Sequence, residues 1–149
     1  LAAVSGQALR VADSGTAADA IRTTALTERV VWISEGVSQR APALIAALER
    51  LGFQAKVPRD PAEVRDQPLG LAIAEGTIAE TGSAIMSEPQ VGSRSVTLMT
   101  ETLVVVCPTA SLMPSLGEAA GVLRAISAGR ASYATFVTGP SRTADIEGN

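Results

Sequence analysis

Two short polar clusters hold the residues of this 149-residue sequence that are best suited to chemistry. The first is Glu75-Gly76-Thr77-Ile78-Ala79-Glu80-Thr81-Gly82-Ser83. Thr81 and Ser83 place two hydroxyls next to the Glu80 carboxylate, and the glycines permit positive φ or close approach of a ligand to the backbone. The second is Thr138-Gly139-Pro140-Ser141-Arg142-Thr143-Ala144-Asp145-Ile146-Glu147. It follows the β-prone run Ser132 to Val137, and Ser141 or Thr143 can cap a helix whose first turns carry Asp145 and Glu147. A strand-turn-helix junction of this kind gathers free backbone N–H groups and the Arg142 guanidinium around one small volume, which suits a carboxylate or phosphate. Each cluster also has a plainer reading: a Thr-Gly-Ser bend is a turn, a hydroxyl followed by acids is a helix cap, and Arg142 is a solvated charge.

The rest of the composition narrows the chemistry. There is no histidine, which excludes an imidazole acid–base step within these residues. Cys107 is the only cysteine, so no metal-binding cysteine cluster exists, and its place at the end of an apolar run predicts a packed small hydrophobe. Glu75 and Glu80 resemble a carboxylate pair, although nothing in the sequence sets their separation. Both Gly-x-Gly-x-x-Gly and the lysine-containing phosphate loop are missing, and Lys56 is the only lysine. The net charge of −3 and the scattered cations argue against nucleic acid as a partner. Trp32, Phe53, Tyr133 and Phe136 read as core residues. No run approaches the roughly 20 apolar residues of a membrane helix, and the start of the sequence lacks the layout of a secretory signal. The expectation is a protein of the cytoplasm with no membrane span.

Runs of two periodicities alternate along the chain, as βαβ units require. Leu9–Ala12, Arg29–Ser34, Phe53–Val57, Leu69–Glu75, Ser83–Ser87, Thr102–Cys107 and Ser132–Val137 read as strands. Thr16–Leu26 and Pro42–Leu51 read as helices, the second with Leu44, Ile45, Leu48 and Leu51 on one face and Gly52 as its stop. Leu112, Leu116, Ala119, Leu123 and Ile126 mark a third amphipathic helix. Pro58–Pro68 is a surface connection, and Glu88–Thr100 a loop with a short helix. The continuous apolar run from Leu69 predicts a strand covered on both faces, inside the sheet. One α/β domain over residues 1–149 accounts for the whole pattern. In open α/β sheets the loops at the carboxyl ends of strands gather around a crevice, so both polar clusters are expected to face one pocket.

Ile78-Ala79-Glu80-Thr81-Gly82-Ser83 followed, at this separation, by Thr138-Gly139-Pro140-Ser141-Arg142-Thr143-Ala144-Asp145-Ile146-Glu147 closely resembles the LUD domain family of lactate-utilisation proteins, from about Leu9 onward. The resemblance implies a three-layer α/β/α fold with a mostly parallel sheet, similar to the sugar-phosphate isomerase and CoA-transferase superfamily. It also implies a part in oxidising L-lactate to pyruvate beside separate iron–sulfur subunits, with no cofactor in this chain. In that picture Thr138, Gly139, Pro140, Ser141, Arg142, Thr143 and Asp145 hold a small carboxylate or phosphate, and Glu80, Thr81, Gly82 and Ser83 orient it. A second copy of the chain is a further candidate partner. The competing reading is a stand-alone transferase-like or isomerase-like enzyme acting on an acyl or phosphorylated metabolite, with Glu80 as nucleophile or base. Family members usually carry an N-terminal helical extension, and beyond the Asp-Ile-Glu a further helix and a Gly-Val-His-Gly-Pro segment; residues 1–149 are expected to lack both.

Overall fold

The computed structural model describes residues 6–25, 27–129 and 133–139. The first half holds α1 (Ser14–Ala25), β1 (Val30–Ile33), α2 (Glu35–Arg40), α3 (Pro42–Arg50), β2 (Gln54–Lys56) and β3 (Leu69–Ile73). The second holds β4 (Gly76–Ile78), β5 (Ser83–Met86), α4 (Val91–Met99), β6 (Thr102–Val106), β7 (Leu112–Met113), α5 (Ala119–Ala128) and β8 (Thr135–Val137). Two four-stranded sheets result. One is parallel, in the order β2-β1-β3-β6, and the other is mixed, in the order β7-β4-β5-β8.

The alternation of side chains along β3 explains how the layers stack. Leu69, Leu71 and Ile73 point to one face and pack with Ala18 and Ile21 of α1, Val37 of α2 and Leu44 and Leu48 of α3. Gly70, Ala72 and Ala74 point to the other. There Ala72 and Ala74 meet Ala84 and Met86 of β5, so the second sheet lies against the first. Small residues on this face allow a close approach: a Cβ on Gly70 would stand 2.5 Å from Thr100 Oγ1 and 3.0 Å from the Val96 carbonyl oxygen at the end of α4. Ile78 and Ile85 face outward from the second sheet and are covered by Ala119, Val122 and Leu123 of α5. The parallel sheet is the middle layer of a three-layer α/β arrangement, between α1–α3 on one face and, on the other, α4 and the second sheet with α5, and β3 is buried inside it as the apolar run from Leu69 predicts.

Local chemistry sets the helix ends. The Thr16 amide donates to Asp13 Oδ1 at 2.8 Å while the Asp13 amide donates to Thr16 Oγ1 at 3.1 Å, a reciprocal cap that opens α1. The Thr16 amide, together with the Thr16 hydroxyl that donates to the same oxygen at 3.0 Å, holds the Asp13 carboxyl below its usual range. Gly52, at φ +86°, turns the chain out of α3 into β2.

Several expectations are corrected. Leu9–Ala12 forms no strand, and Leu9 and Val11 are exposed. Residues 7–13 are exposed throughout, so the apolar side chains of this segment find no core face whose burial would hold it as a strand. Leu112 and Leu116 are not on the α-helix: Leu112–Met113 is a strand pairing with β4, Pro114 follows it, Leu116–Glu118 is a 3-10 turn, and α5 starts only at Ala119. Cys107 is exposed rather than packed, because it lies just past the end of β6, an edge strand of the parallel sheet. Phe53 is a core residue, but Phe136 is 42% exposed and Trp32 and Tyr133 are half-buried. Among the described residues, no helix is long and apolar enough to cross a membrane.

Candidate functional site

The two sequence clusters meet through their hydroxyls. β5 and β8 are antiparallel with Ala84 opposite Val137, which puts Ser83 directly across from Thr138 one step further along. Their hydroxyl oxygens lie 2.8 Å apart, and Thr81 Oγ1 donates to Ser83 Oγ at 2.7 Å. Ser83 is buried while Thr81 and Thr138 are exposed, so a buried hydroxyl sits between two that reach solvent. The turn before β5 needs Gly82 at φ +66°, and the chain leaves β8 through Gly139 at φ +102°; both are left-handed conformations that glycine adopts without strain. Pro140, Ser141, Arg142, Thr143 and Asp145 lie outside the described residues.

Glu80 sits on the same turn but faces a different neighbour. It is exposed, and its Oε2 accepts from the Leu116 amide at 3.1 Å, at the start of the 3-10 turn Leu116–Glu118. Its own amide donates to the Pro114 carbonyl at 3.1 Å. In this structure the carboxylate therefore tethers the β4–β5 turn to the segment before α5.

The hairpin β4–β5 divides the first cluster between its two ends. Glu75 is at the open end, where its amide donates to the Ile85 carbonyl at 2.8 Å, and Glu80 to Ser83 are at the turn. The two carboxylates that resemble a pair in the sequence are split accordingly, and Glu75 pairs with Arg40. Arg40 Nη1 and Nη2 reach Glu75 Oε2 and Oε1 at 3.1 and 3.0 Å, a two-pronged contact, and Nη2 also donates to the Ile73 carbonyl at 3.0 Å.

That ion pair borders a cleft of about 180 Å³ for which no motif gives a signal. Glu35, Gly36, Gln39, Arg40, Glu75 and Glu88 are among its lining residues. It opens at the carboxyl ends of β1 and β3. The chain leaves β1 for β2 on one side and returns to β3 on the other, so this is the switch point of the parallel sheet, the usual ligand crevice of such folds. Glu88 is only 2% exposed, and its Oε1 has no hydrogen-bond partner among the described residues. The Ser34 hydroxyl, wholly buried, is likewise unpartnered. Burial pushes the Glu88 carboxyl above the 4.5 of a solvated glutamate; the adjacent Ser34 hydroxyl, short of a formed hydrogen bond, and the Arg40 charge oppose this, while Glu75 and Glu35 add to it. Orphaned buried groups of this kind cost about 1–3 kcal/mol each and are rare. In the sequence Glu88 is a single acid opening a segment of mixed Pro, Gly, Ser and Arg that reads as a loop with a short helix, so no motif marks it. A second hollow, of about 190 Å³, lies at the amino ends of β3 and β6, lined in part by Thr24, Glu28 and Glu101, and contains no such orphan among the described residues. No group of three metal-ligating side chains comes together among the described residues.

Comparison with known proteins agrees with the motifs. A model of the LUD domain matches residues 1–149. Lactate utilization protein C of Bacillus subtilis (strain 168) is 32% identical over 82 residues, covering 53% of this chain and 34% of that protein. The protein of the same name from Geobacillus thermodenitrificans (strain NG80-2) is 32% identical over 84 residues, covering 54% and 35%. That from Macrococcus caseolyticus (strain JCSC5402) is 29% identical over 82 residues, covering 53% and 36%. The chain thus spans about a third of the length of the curated relatives it matches. No solved structure matches it.

Proposed function

Because this chain belongs to the LUD domain family, we propose that it serves in lactate utilisation, as a component that holds a small anionic ligand while electrons pass through iron–sulfur clusters on partner subunits. The relatives named lactate utilization protein C support the pathway. The observation that carries the site is the 2.8 Å approach of the Ser83 and Thr138 hydroxyls, which draws the first motif to the beginning of the second. Thr81, Ser83 and Thr138 offer donors to a carboxylate or phosphate oxygen, and Gly82 and Gly139 leave the backbone open to it. Arg142, three to four residues beyond, supplies the countercharge.

The reading in which Glu80 acts as nucleophile or base has less support, since its carboxylate is exposed and committed to the Leu116 amide. Thermal unfolding of the protein with L-lactate, pyruvate and inorganic phosphate is the direct test. A ligand present at 100 times its dissociation constant stabilises by about 2.7 kcal/mol, readable as a rise in midpoint. The expected result is stabilisation by one of these anions that is lost in Arg142→Ala. A midpoint unmoved by all three, both alone and with iron–sulfur subunits added, removes the anion-site reading. Turnover of an acyl or phosphorylated substrate by the chain alone, abolished in Glu80→Gln, replaces it with the enzyme reading.

A further inference from the structure

Ala79, Glu80 and Thr81 are all exposed, so no buried side chain fixes the turn between β4 and β5. What fixes it is a run of bonds to one neighbouring segment. The Ala79 amide donates to the Met113 carbonyl at 2.8 Å and the Glu80 amide to the Pro114 carbonyl at 3.1 Å, continuing the parallel pairing of β4 with β7. Glu80 Oε2 then accepts from the Leu116 amide at 3.1 Å. The two backbone bonds do not depend on which residue stands at position 80, and the third does. Its far end is well anchored. Leu116 opens the 3-10 turn Leu116–Glu118, which runs directly into α5, and Ala119 of α5 is buried against Ile78 and Ile85. Ser115, the residue in place to cap this start, gives it no side-chain bond. Glu80 supplies the cap from another element, with a carboxylate on a free amide at a helical start, where negative charge is favoured.

The next residue along the turn is Thr81, whose hydroxyl bonds to Ser83 at 2.7 Å, and Ser83 meets Thr138 at 2.8 Å. A loose carboxylate at position 80 would harm a small anion at these hydroxyls in two ways: the turn would be free to move, and a like charge would stand beside the ligand. Held at the Leu116 amide, it does neither. Resting on the anion-site reading above, we propose that Glu80 is a positioning residue of that site. It touches no ligand, and by capping the start of the segment that leads into α5 it holds the turn of Thr81, Gly82 and Ser83 in the geometry that receives the anion. Occupancy of the site and the setting of the Leu116 amide are then linked, each stabilising the other.

The contact can be cut from either side. Glu80→Ala removes the acceptor, while Glu80→Gln keeps an acceptor oxygen and loses only the charge. Leu116→Pro removes the donor: position 116 is the first of its helical turn, Ser115 before it is extended at φ −134° and ψ 163°, and the Leu116 side chain is exposed, all of which suit proline. Calorimetric titration of the whole chain with L-lactate, pyruvate and inorganic phosphate gives the dissociation constant for each variant, and circular dichroism reports whether it is folded. Glu80→Ala and Leu116→Pro should each weaken binding about fivefold to tenfold, the double variant no further than either alone, and Glu80→Gln no more than about twofold. Hydrogen exchange at the Leu116 amide of the wild type should slow when the anion is bound. Undiminished binding in a folded Glu80→Ala and Leu116→Pro, or a loss in Glu80→Gln equal to that in Glu80→Ala, overturns the positioning role and leaves the anion site standing. A wild type that binds none of the three anions, alone or with iron–sulfur subunits, overturns the site and the positioning role together.

Discussion

Ser83 and Thr138, 55 positions apart in sequence, share a hydrogen bond of 2.8 Å between their hydroxyls. It ties the turn of one hairpin to the end of the last described strand, and in doing so joins the two motifs that identify the LUD family. Ser83 is the buried member, since Thr81 approaches it from its own turn. Replacing Ser83 by Ala removes the middle of the three hydroxyls and should cost about 1 kcal/mol in urea unfolding. Thr138→Val alone should cost less, because Thr138 is exposed and water can replace its partner. In a double-mutant cycle the pair should couple by about 0.5–1 kcal/mol. Strict additivity would mean that the bond does not form in solution.

Glu88 predicts a pH dependence of definite sign. Its folded-state pKa is raised above the 4.5 of an exposed glutamate, mainly by burial. The stability that the protonated carboxyl supports is complete below that value and is lost as pH rises through the folded-state value. Glu88→Gln has nothing to titrate at this position. Urea unfolding at a series of pH values should therefore show the wild type losing stability relative to Glu88→Gln as the pH rises above 4.5. Curves that run parallel across this range would show a carboxyl that titrates as if solvated.

Arg40 and Glu75 should respond unequally to truncation. The side chains are 36% and 30% exposed, so the ion pair itself contributes little, about 0–1 kcal/mol. Arg40 also donates to the carbonyls at the end of β3, and Glu75 does nothing comparable. Arg40→Ala should then destabilise more than Glu75→Gln, by about 1 kcal/mol, in thermal or urea unfolding. Equal losses would place the whole effect in the ion pair.

Two helix glycines should give opposite results when replaced by Ala. At Gly92 the new Cβ would stand 2.5 Å from the Pro58 carbonyl oxygen, a backbone atom that cannot simply swing away, so a loss of about 1–3 kcal/mol is expected. Gly121 on α5 has nothing within 4 Å of such a Cβ, and the substitution should stabilise by about 0.5–1 kcal/mol through helix propensity. Circular dichroism melts of the two variants separate these cases.

The parallel framework was legible because its signals are local and redundant. The periodic face of α3, the stop at Gly52 and the unbroken apolar run of β3 each agree with the neighbouring elements. Where the reading failed, tertiary pairing decided. Leu112 continues a helical spacing on paper, yet Leu112–Met113 gains backbone bonds to β4. Cys107 follows the most β-prone run in the chain, but that run became an edge. The hydroxyl junction could be anticipated from motif composition, and Ser83 and Thr138 do meet. Glu88 could not. What distinguishes it is burial among Ser34, Arg40 and Glu75, residues 13 to 54 positions away in sequence, and no local pattern encodes that.

The β4–β5 hairpin is also a spacer. β5 alone spans roughly 10 Å at about 3.3 Å per residue, with Ser83 at one end and Glu88 two residues past the other. A three-carbon acid seated at the hydroxyls cannot also reach the cleft beside Glu88. If both ends are used together, the occupants are either two separate small molecules or one extended molecule lying along the ribbon. The rigidity of the ribbon, paired on both sides by β7 and β8, would then act as a length filter.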